Sequence, residues 1–193
     1  MSKKKMILHA ATQLFSKKGF KETSMAELSR ATGAAEGTIF YHYKNKEDIL
    51  LSVLDDIKEG MINEFEQYLA ENKFESGLDM MEGIITFYLY LAGKREEWFL
   101  LLHRNYPYKL AEVNEVCRGH LEALYNCLAD IFERAVLTGQ QDGSIGDIPA
   151  RKAALIIFSM VDGIVRFKTY NLYDAGALYT ELIASCRRML RHK

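Results

Sequence analysis

One run near the start of the chain, Thr23 to Leu50 (TSMAELSRATGAAEGTIFYHYKNKEDIL), restricts the possible fold more than any other stretch. Ser24 with Glu27 three positions on, just ahead of Leu28, is the pattern of a capping box, so a short helix is expected to begin there. Gly33 stops it. A three-residue turn (Gly33, Ala34, Ala35) is followed by a second short helix from Glu36 to about Tyr43 and a break at Lys44 and Asn45. Two helices joined this tightly need a small residue where they cross and a residue that tolerates positive φ in the turn. Ser29 and Gly33 stand four positions apart where those roles fall. The pattern is that of a helix-turn-helix, whose second helix offers its first residues, here Glu36, Gly37 and Thr38, to the major groove while its flanks hold phosphates.

The rest of the chain reads as helix throughout. Met6, Ile7, Ala10, Ala11, Leu14 and Phe15 recur on one face of a first helix from about Ser2 to Lys18, ended by Gly19. A long helix is expected from Lys46 to Glu71, about 38 Å at a rise of about 1.5 Å per residue. Further helices are expected over Gly77 to Ala92, Arg95 to Arg104, Tyr108 to Thr138, Pro149 to Asn171 and Asp174 to Arg191, with Gly139 to Ile148 as the clearest loop. The expected fold is all-α with about nine helices: a three-helix head over residues 1–46 and a helical domain over 47–193, linked by the helix 47–71. The head carries nine basic and three acidic side chains, +6, and with a net charge of −1 the remainder is −7. That asymmetry suits a head that meets phosphates on a body that they repel.

Several function classes find no support. The densest apolar runs, Ile84 to Ala92 and Trp98 to Leu102, fall short of the roughly 18 residues that a membrane span needs. Lys3, Lys4 and Lys5 are followed by a stretch too short and polar for an export signal, so the chain is expected to stay in the cytoplasm and to bind no membrane. Three cysteines at irregular spacing make neither a disulfide framework nor a zinc ribbon. Cys117 and His120 share a helix face, but two ligands without nearby partners do not make a metal site, so no metal or cofactor is expected. There is no glycine-rich phosphate loop and no Ser-His-Asp-like cluster, so no enzyme is expected; a small helical enzyme, resting only on Cys117 with His120 or on His103, and a helical adaptor that binds protein are the alternatives.

The run Thr32 to Leu50 (TGAAEGTIFYHYKNKEDIL) resembles the DNA-binding signature of the TetR family, with Gly33, Gly37, Thr38, Ile39, Tyr43, Lys44, Lys46, Glu47 and Ile49 in register. The similarity is close over about the first 50 residues. Beyond them it rests on length, helix order and apolar character. The resemblance implies a ligand-responsive transcriptional regulator, a repressor that binds a palindromic operator as a homodimer. It implies DNA contacts from Thr23, Ser24, Ala35, Glu36, Gly37, Thr38, Tyr41, His42, Lys44 and Lys46. Ser24 would meet a phosphate through its hydroxyl and nearby amides, Lys46 through its charge, and Tyr41 and His42 would pack on the DNA backbone. Three residues depart from the family pattern. Ala35 replaces the usual serine cap, Phe40 replaces a tyrosine, and Glu36 places a carboxylate in the groove, where it could accept from a cytosine amino group. Phe40 and Ile39 are expected to pack inside the head, and Lys3, Lys4 and Lys5 to form either a basic arm or a frayed end.

A single head buries little DNA surface, so two are expected about one helical turn apart. The apolar stripe Ile156, Met160, Gly163, Ile164 and Phe167 and the facing set Leu178, Leu182, Ser185 and Met189 are the candidate dimer interface, pairing into a four-helix bundle. The helix around Ile84 to Leu91 is apolar nearly all round and is expected at the centre of the domain. Phe87, Tyr88, Leu91, Trp98, Phe99, Leu102, His103, Tyr106 and Tyr125 are the candidate lining of a pocket for a small, largely apolar effector. Its binding is expected to change the tilt of the helix that starts at Lys46 and so release the operator.

Overall fold

The computed structural model describes residues 2–191, and these contain helices joined by turns and loops, with no strand. Ten helices are formed: α1 (Lys3–Lys17), α2 (Met25–Thr32), α3 (Glu36–His42), α4 (Lys46–Glu71), α5 (Gly77–Lys94), α6 (Glu96–Leu102), α7 (Asn105–Ala111), α8 (Glu115–Asp142), α9 (Ala150–Thr169) and α10 (Ala175–Leu190). The count exceeds the expected nine because the helix read as Tyr108 to Thr138 is broken. Asn114 accepts the amide of Cys117 at 3.0 Å and so caps a new helix, while its own amide closes the previous one on Leu110 O at 2.8 Å. A side chain that competes for backbone donors ends one helix and starts the next, although the apolar periodicity runs through the break. Helix α8 in turn runs on to Asp142, into what had read as loop. Among the described residues no helix is long and apolar enough to cross a membrane.

The chain groups into two compact units, residues 2–60 with 97–124 and residues 61–96 with 125–191. The first holds the helix-turn-helix and also takes in α6, α7 and the start of α8, so it is larger than the 1–46 head read from sequence. In it α1 packs on α2 and α2 on α3. Ile7, Ala11, Phe15, Leu28, Ile39, Ile49, Leu50, Val53 and Leu54 form its buried side, and Phe99, Leu102, Leu110, Cys117 and Leu121 are buried in its later helices.

In the second unit α9 packs on α10 and on α5. Tyr88 of α5 stands among Phe65, Phe132 and Phe158 at ring separations of 5.8 to 6.3 Å, and its hydroxyl donates to Asp162 at 2.7 Å. The helix expected at the centre of the domain buries Ile84, Ile85, Phe87, Tyr88 and Leu91, while Tyr90 on its other side is exposed. The start of α5 is held by residues at the end of α8. Asp142 accepts the Gly77 amide at 2.6 Å, Ser144 accepts the Leu78 amide at 3.1 Å, and Ser76 caps locally on Asp79. These bonds satisfy first-turn donors that have no partner within the helix.

Candidate nucleic-acid interface

The helix-turn-helix is fixed by short polar bonds that the sequence dictates locally. Ser24 Oγ accepts the Glu27 amide at 3.2 Å and Glu27 Oε2 accepts the Ser24 amide at 2.8 Å, completing the expected capping box. Lys18 pairs with the same carboxylate. Its donation, followed by the bonds from Ser24, pulls the Glu27 pKa down to about 2. Gly33 takes φ +65°, the left-handed conformation expected for the turn. Ser29 Oγ donates to Ala34 O at 2.7 Å, while Thr32 Oγ1 donates to Leu28 O at 2.8 Å and accepts the Ala34 amide at 3.3 Å. The turn is therefore clamped by the hydroxyls on either side of it.

Helix α3 follows from Ala35, which as a cap makes no side-chain bond, so the hydrogen bond that a serine would supply is absent. Ile39 is fully buried against the head, as expected for a packing residue. Phe40 is not: it is 49% exposed and Tyr41 84% exposed, so the expectation that Phe40 packs inside is corrected. Seven residues make two turns, and Ile39 with Tyr43 takes the inward side, which turns Phe40 outward. Glu36 and Gly37 are exposed, Thr38 and His42 half-buried, and the Tyr41 and His42 rings meet edge-on at 5.2 Å. A Cβ on Gly37 would meet nothing within 4 Å. No packing within the chain requires glycine there.

Two residues read as DNA contacts, Thr23 and Lys46, are engaged elsewhere. Thr23 is buried and its hydroxyl donates to Gly19 O at 2.8 Å, which makes it a brace for the α1–α2 turn and withdraws that hydroxyl from DNA. The Lys46 ammonium donates to Phe20 O at 2.6 Å and Thr23 O at 2.7 Å, approaches Lys21 O at 3.4 Å, and lies 4.4 Å from the Phe20 ring centre. Burial lowers its pKa, and the charges of Glu22 and Glu27 oppose that shift. Lys44 is exposed, and its amide donates to Asp48, whose own amide is capped by Asn45 at 2.8 Å. Tyr43 is buried, and that burial, with the charges of Asp56 and Asp48, pushes its phenol up to about 12.

Sequence reasoning missed one participant. Arg104 reaches back 88 residues to donate from Nε and Nη2 to Ser16 O at 3.0 and 2.7 Å, and from Nη2 to Lys17 O at 2.8 Å. No local pattern signals a contact over that separation. Tyr106, read as a pocket residue, stacks on Phe20 at 4.0 Å between ring centres and donates to Glu47 at 3.2 Å. Burial and the Glu47 charge push its phenol up to about 12.

The other pocket candidates divide between the units. Phe87, Tyr88, Leu91 and Tyr125 belong to the second, where Phe87 stacks on Tyr68 at 4.3 Å and Tyr125 lies 6.0 Å from Phe158. Trp98, Phe99, Leu102 and His103 belong to the first. Phe99, Leu102 and His103 are buried there, and a Cβ on Gly60 would fall 2.5 Å from the Trp98 ring. Of the interface candidates, Ile156 is 52% exposed, Phe167 and Leu178 are exposed, and Met160, Gly163, Ile164, Ser185 and Met189 are half-buried, whereas Leu182 is buried within the protomer. Leu155, Tyr170, Leu172 and Tyr173 extend the exposed apolar surface beyond the residues read from sequence.

The family model of bacterial regulatory proteins of the tetR family matches residues 7–53. The fatty acid metabolism regulator protein of Bacillus subtilis (strain 168) is 26% identical over 183 residues, 92% of this chain and 90% of that protein. The fatty acid degradation regulator FadR from Bacillus halodurans shares the fold over 100% of this chain and 98% of its own, with a TM-score of 0.82 at 19% identity. FadR from Bacillus subtilis in complex with stearoyl-CoA superposes over 97% of this chain and 99% of its own, with a TM-score of 0.79 at 21% identity. The capped, glycine-turned helix pair and its exposed α3 lie inside the stretch that the family model matches, so residues 7–53 are a DNA-binding head of the TetR family kind, on a chain similar along nearly its whole length to transcriptional regulators.

Proposed function

We propose that the protein is a repressor that binds a palindromic operator as a homodimer and is released by a small, largely apolar molecule held in its C-terminal domain. The observation that carries the reading is the surface of α3. Glu36, Gly37 and Tyr41 are exposed on a helix whose start is clamped by its neighbours, and Gly37 has open space over its Cα. Glu36, Gly37 and Thr38 take the groove. The first-turn amides of α2 that follow Ser24, the Ala35 backbone, the Lys44 ammonium and the Tyr41–His42 pair take the phosphates, while Thr23 serves as a brace of the turn. The exposed apolar faces of α9 and α10 support a homodimer.

For the effector, the aromatic surroundings of Tyr88 support an apolar ligand. Long-chain acyl-CoA is the class to try first, because a FadR of the same fold carries stearoyl-CoA. Release needs the effector to prefer the non-binding state by about 2 to 3 kcal/mol, which weakens operator binding about 100-fold. The test is fluorescence anisotropy on a duplex from the gene's own upstream region, titrated with stearoyl-CoA, a short-chain acyl-CoA and free coenzyme A. Release by the long chain alone supports the assignment, and release by none of them removes acyl-CoA as the effector.

A further inference from the structure

The end of α1 and the turn that follows it point a group of backbone carbonyls at two cations. Ser16 O and Lys17 O are held by the Arg104 guanidinium, and Phe20 O, Lys21 O and Thr23 O by the Lys46 ammonium. The negative end of a helix favours cations at this place, and the bonds from Arg104 satisfy carbonyls of the last turn of α1, while those from Lys46 reach carbonyls of the turn beyond it, where Phe20 O also accepts the Thr23 amide at 3.4 Å. Phe20 is fixed as well, with Tyr106 stacked on its ring and Lys46 at 4.4 Å from its centre. All these groups belong to one compact unit.

An ammonium has three N–H donors, and here three carbonyls meet it. To reach a phosphate Lys46 would have to leave its seat and expose those carbonyls. Thr23, at the edge of the seat, immediately precedes the cap of α2, so the position of the seat fixes where α2 begins and the angle at which α2 and α3 leave α1.

We infer that Lys46 and Arg104 are positioning residues of the DNA-binding head, holding the α1–α2 turn so that α3 is correctly presented, and that neither contacts phosphate. The inference rests on DNA binding by this head, whose failure would show separately, as a parent protein that binds neither duplex. A phosphate contact and a positioning residue leave different marks. Loss of a phosphate contact weakens operator and random duplex alike and lowers the slope of log affinity against log salt by about one. Loss of positioning weakens operator binding alone, because random duplex is held by phosphates in any register.

The experiment measures anisotropy on operator and random duplexes of equal length, from about 50 to 200 mM salt, well below the melting temperature. The proteins are the parent, Lys46→Met, Lys46→Arg, Arg104→Met, and Lys44→Met as a phosphate-contact control. Lys46→Met and Arg104→Met are expected to lose about tenfold in operator affinity, with unchanged slope and unchanged random-duplex binding. Lys44→Met is expected to lower both affinities and the slope. Lys46→Arg keeps the charge and the fold but not the three-carbonyl fit, and is expected to lose operator affinity with the slope intact, which keeps the test decisive should Lys46→Met fail to fold. Parent-like operator binding by Lys46→Arg, or a slope lowered by about one in Lys46→Met, would overturn the inference.

Discussion

Replacing Gly37 by alanine is expected to stabilise the protein and to damage its function at the same time. A Cβ at Gly37 meets nothing within 4 Å, and the residue's φ lies outside the left-handed region, so the methyl group adds no clash within the chain. Glycine in a helix costs about 0.5 to 1 kcal/mol relative to alanine. For a chain of 193 residues each kcal/mol is worth about 2 to 4 °C, so the melting temperature should rise by about 1 to 4 °C. The same methyl group points toward the surface that α3 offers to the groove. There it would hold the backbone off the base edges and weaken operator binding by about 1 to 3 kcal/mol, roughly 5- to 150-fold. Thermal melting followed by circular dichroism reads the first effect, and anisotropy at 25 °C on the operator duplex reads the second. Unchanged operator affinity would remove Gly37 from the groove, and a lowered melting temperature would refute the reading that nothing in the chain requires glycine there.

Gly77→Ala should act in the opposite sense on stability, since its Cβ would lie 2.0 Å from Gly139 N and 2.7 Å from Ala135 O, backbone atoms that cannot turn aside. Opening α5 from α8 also loosens the Gly77–Asp142 and Leu78–Ser144 bonds, for an expected loss of about 3 to 5 kcal/mol by denaturant unfolding. A change under 1 kcal/mol would contradict the close approach. Glu27, whose pKa is lowered to about 2, contributes stability that is present above about pH 4.5 and is lost as pH falls through about 2. Melting temperatures of the parent should therefore drop between about pH 4.5 and 2 more than those of Glu27→Gln, and parallel curves would contradict the capping-box account. Ile156→Arg, on the exposed face of α9, should give monomers in sedimentation velocity and lose tight operator binding. A fully dimeric variant would place the interface elsewhere.

What could be read in advance depended on how local the cause was. The capping box at Ser24, the left-handed Gly33 and the clamp by Ser29 are decided within about five residues, and the helix-turn-helix emerged from them directly. The break at Asn114 was hidden because apolar spacing continues across it, and only the side-chain cap reveals it. Phe40 read as a packing residue because a short helix leaves the choice of inward face open until α1 and α2 are in place. The seats of Arg104 and Lys46 depend on carbonyls 88 and 23 to 26 residues away, and no spacing rule carries such a contact. The basic balance of the head was plain in the sequence, but not which cations face solvent and which hold the fold together.

The most direct test of the account is a hydroxyl-radical footprint of the purified protein on its own upstream DNA, with the stoichiometry measured on the same complex. Two protected patches related by a two-fold axis and spaced about one helical turn, roughly 34 Å apart, with two protomers bound per duplex, are the predicted result. A single protected patch held by one protomer, or no protection at low salt, would contradict a paired-head regulator.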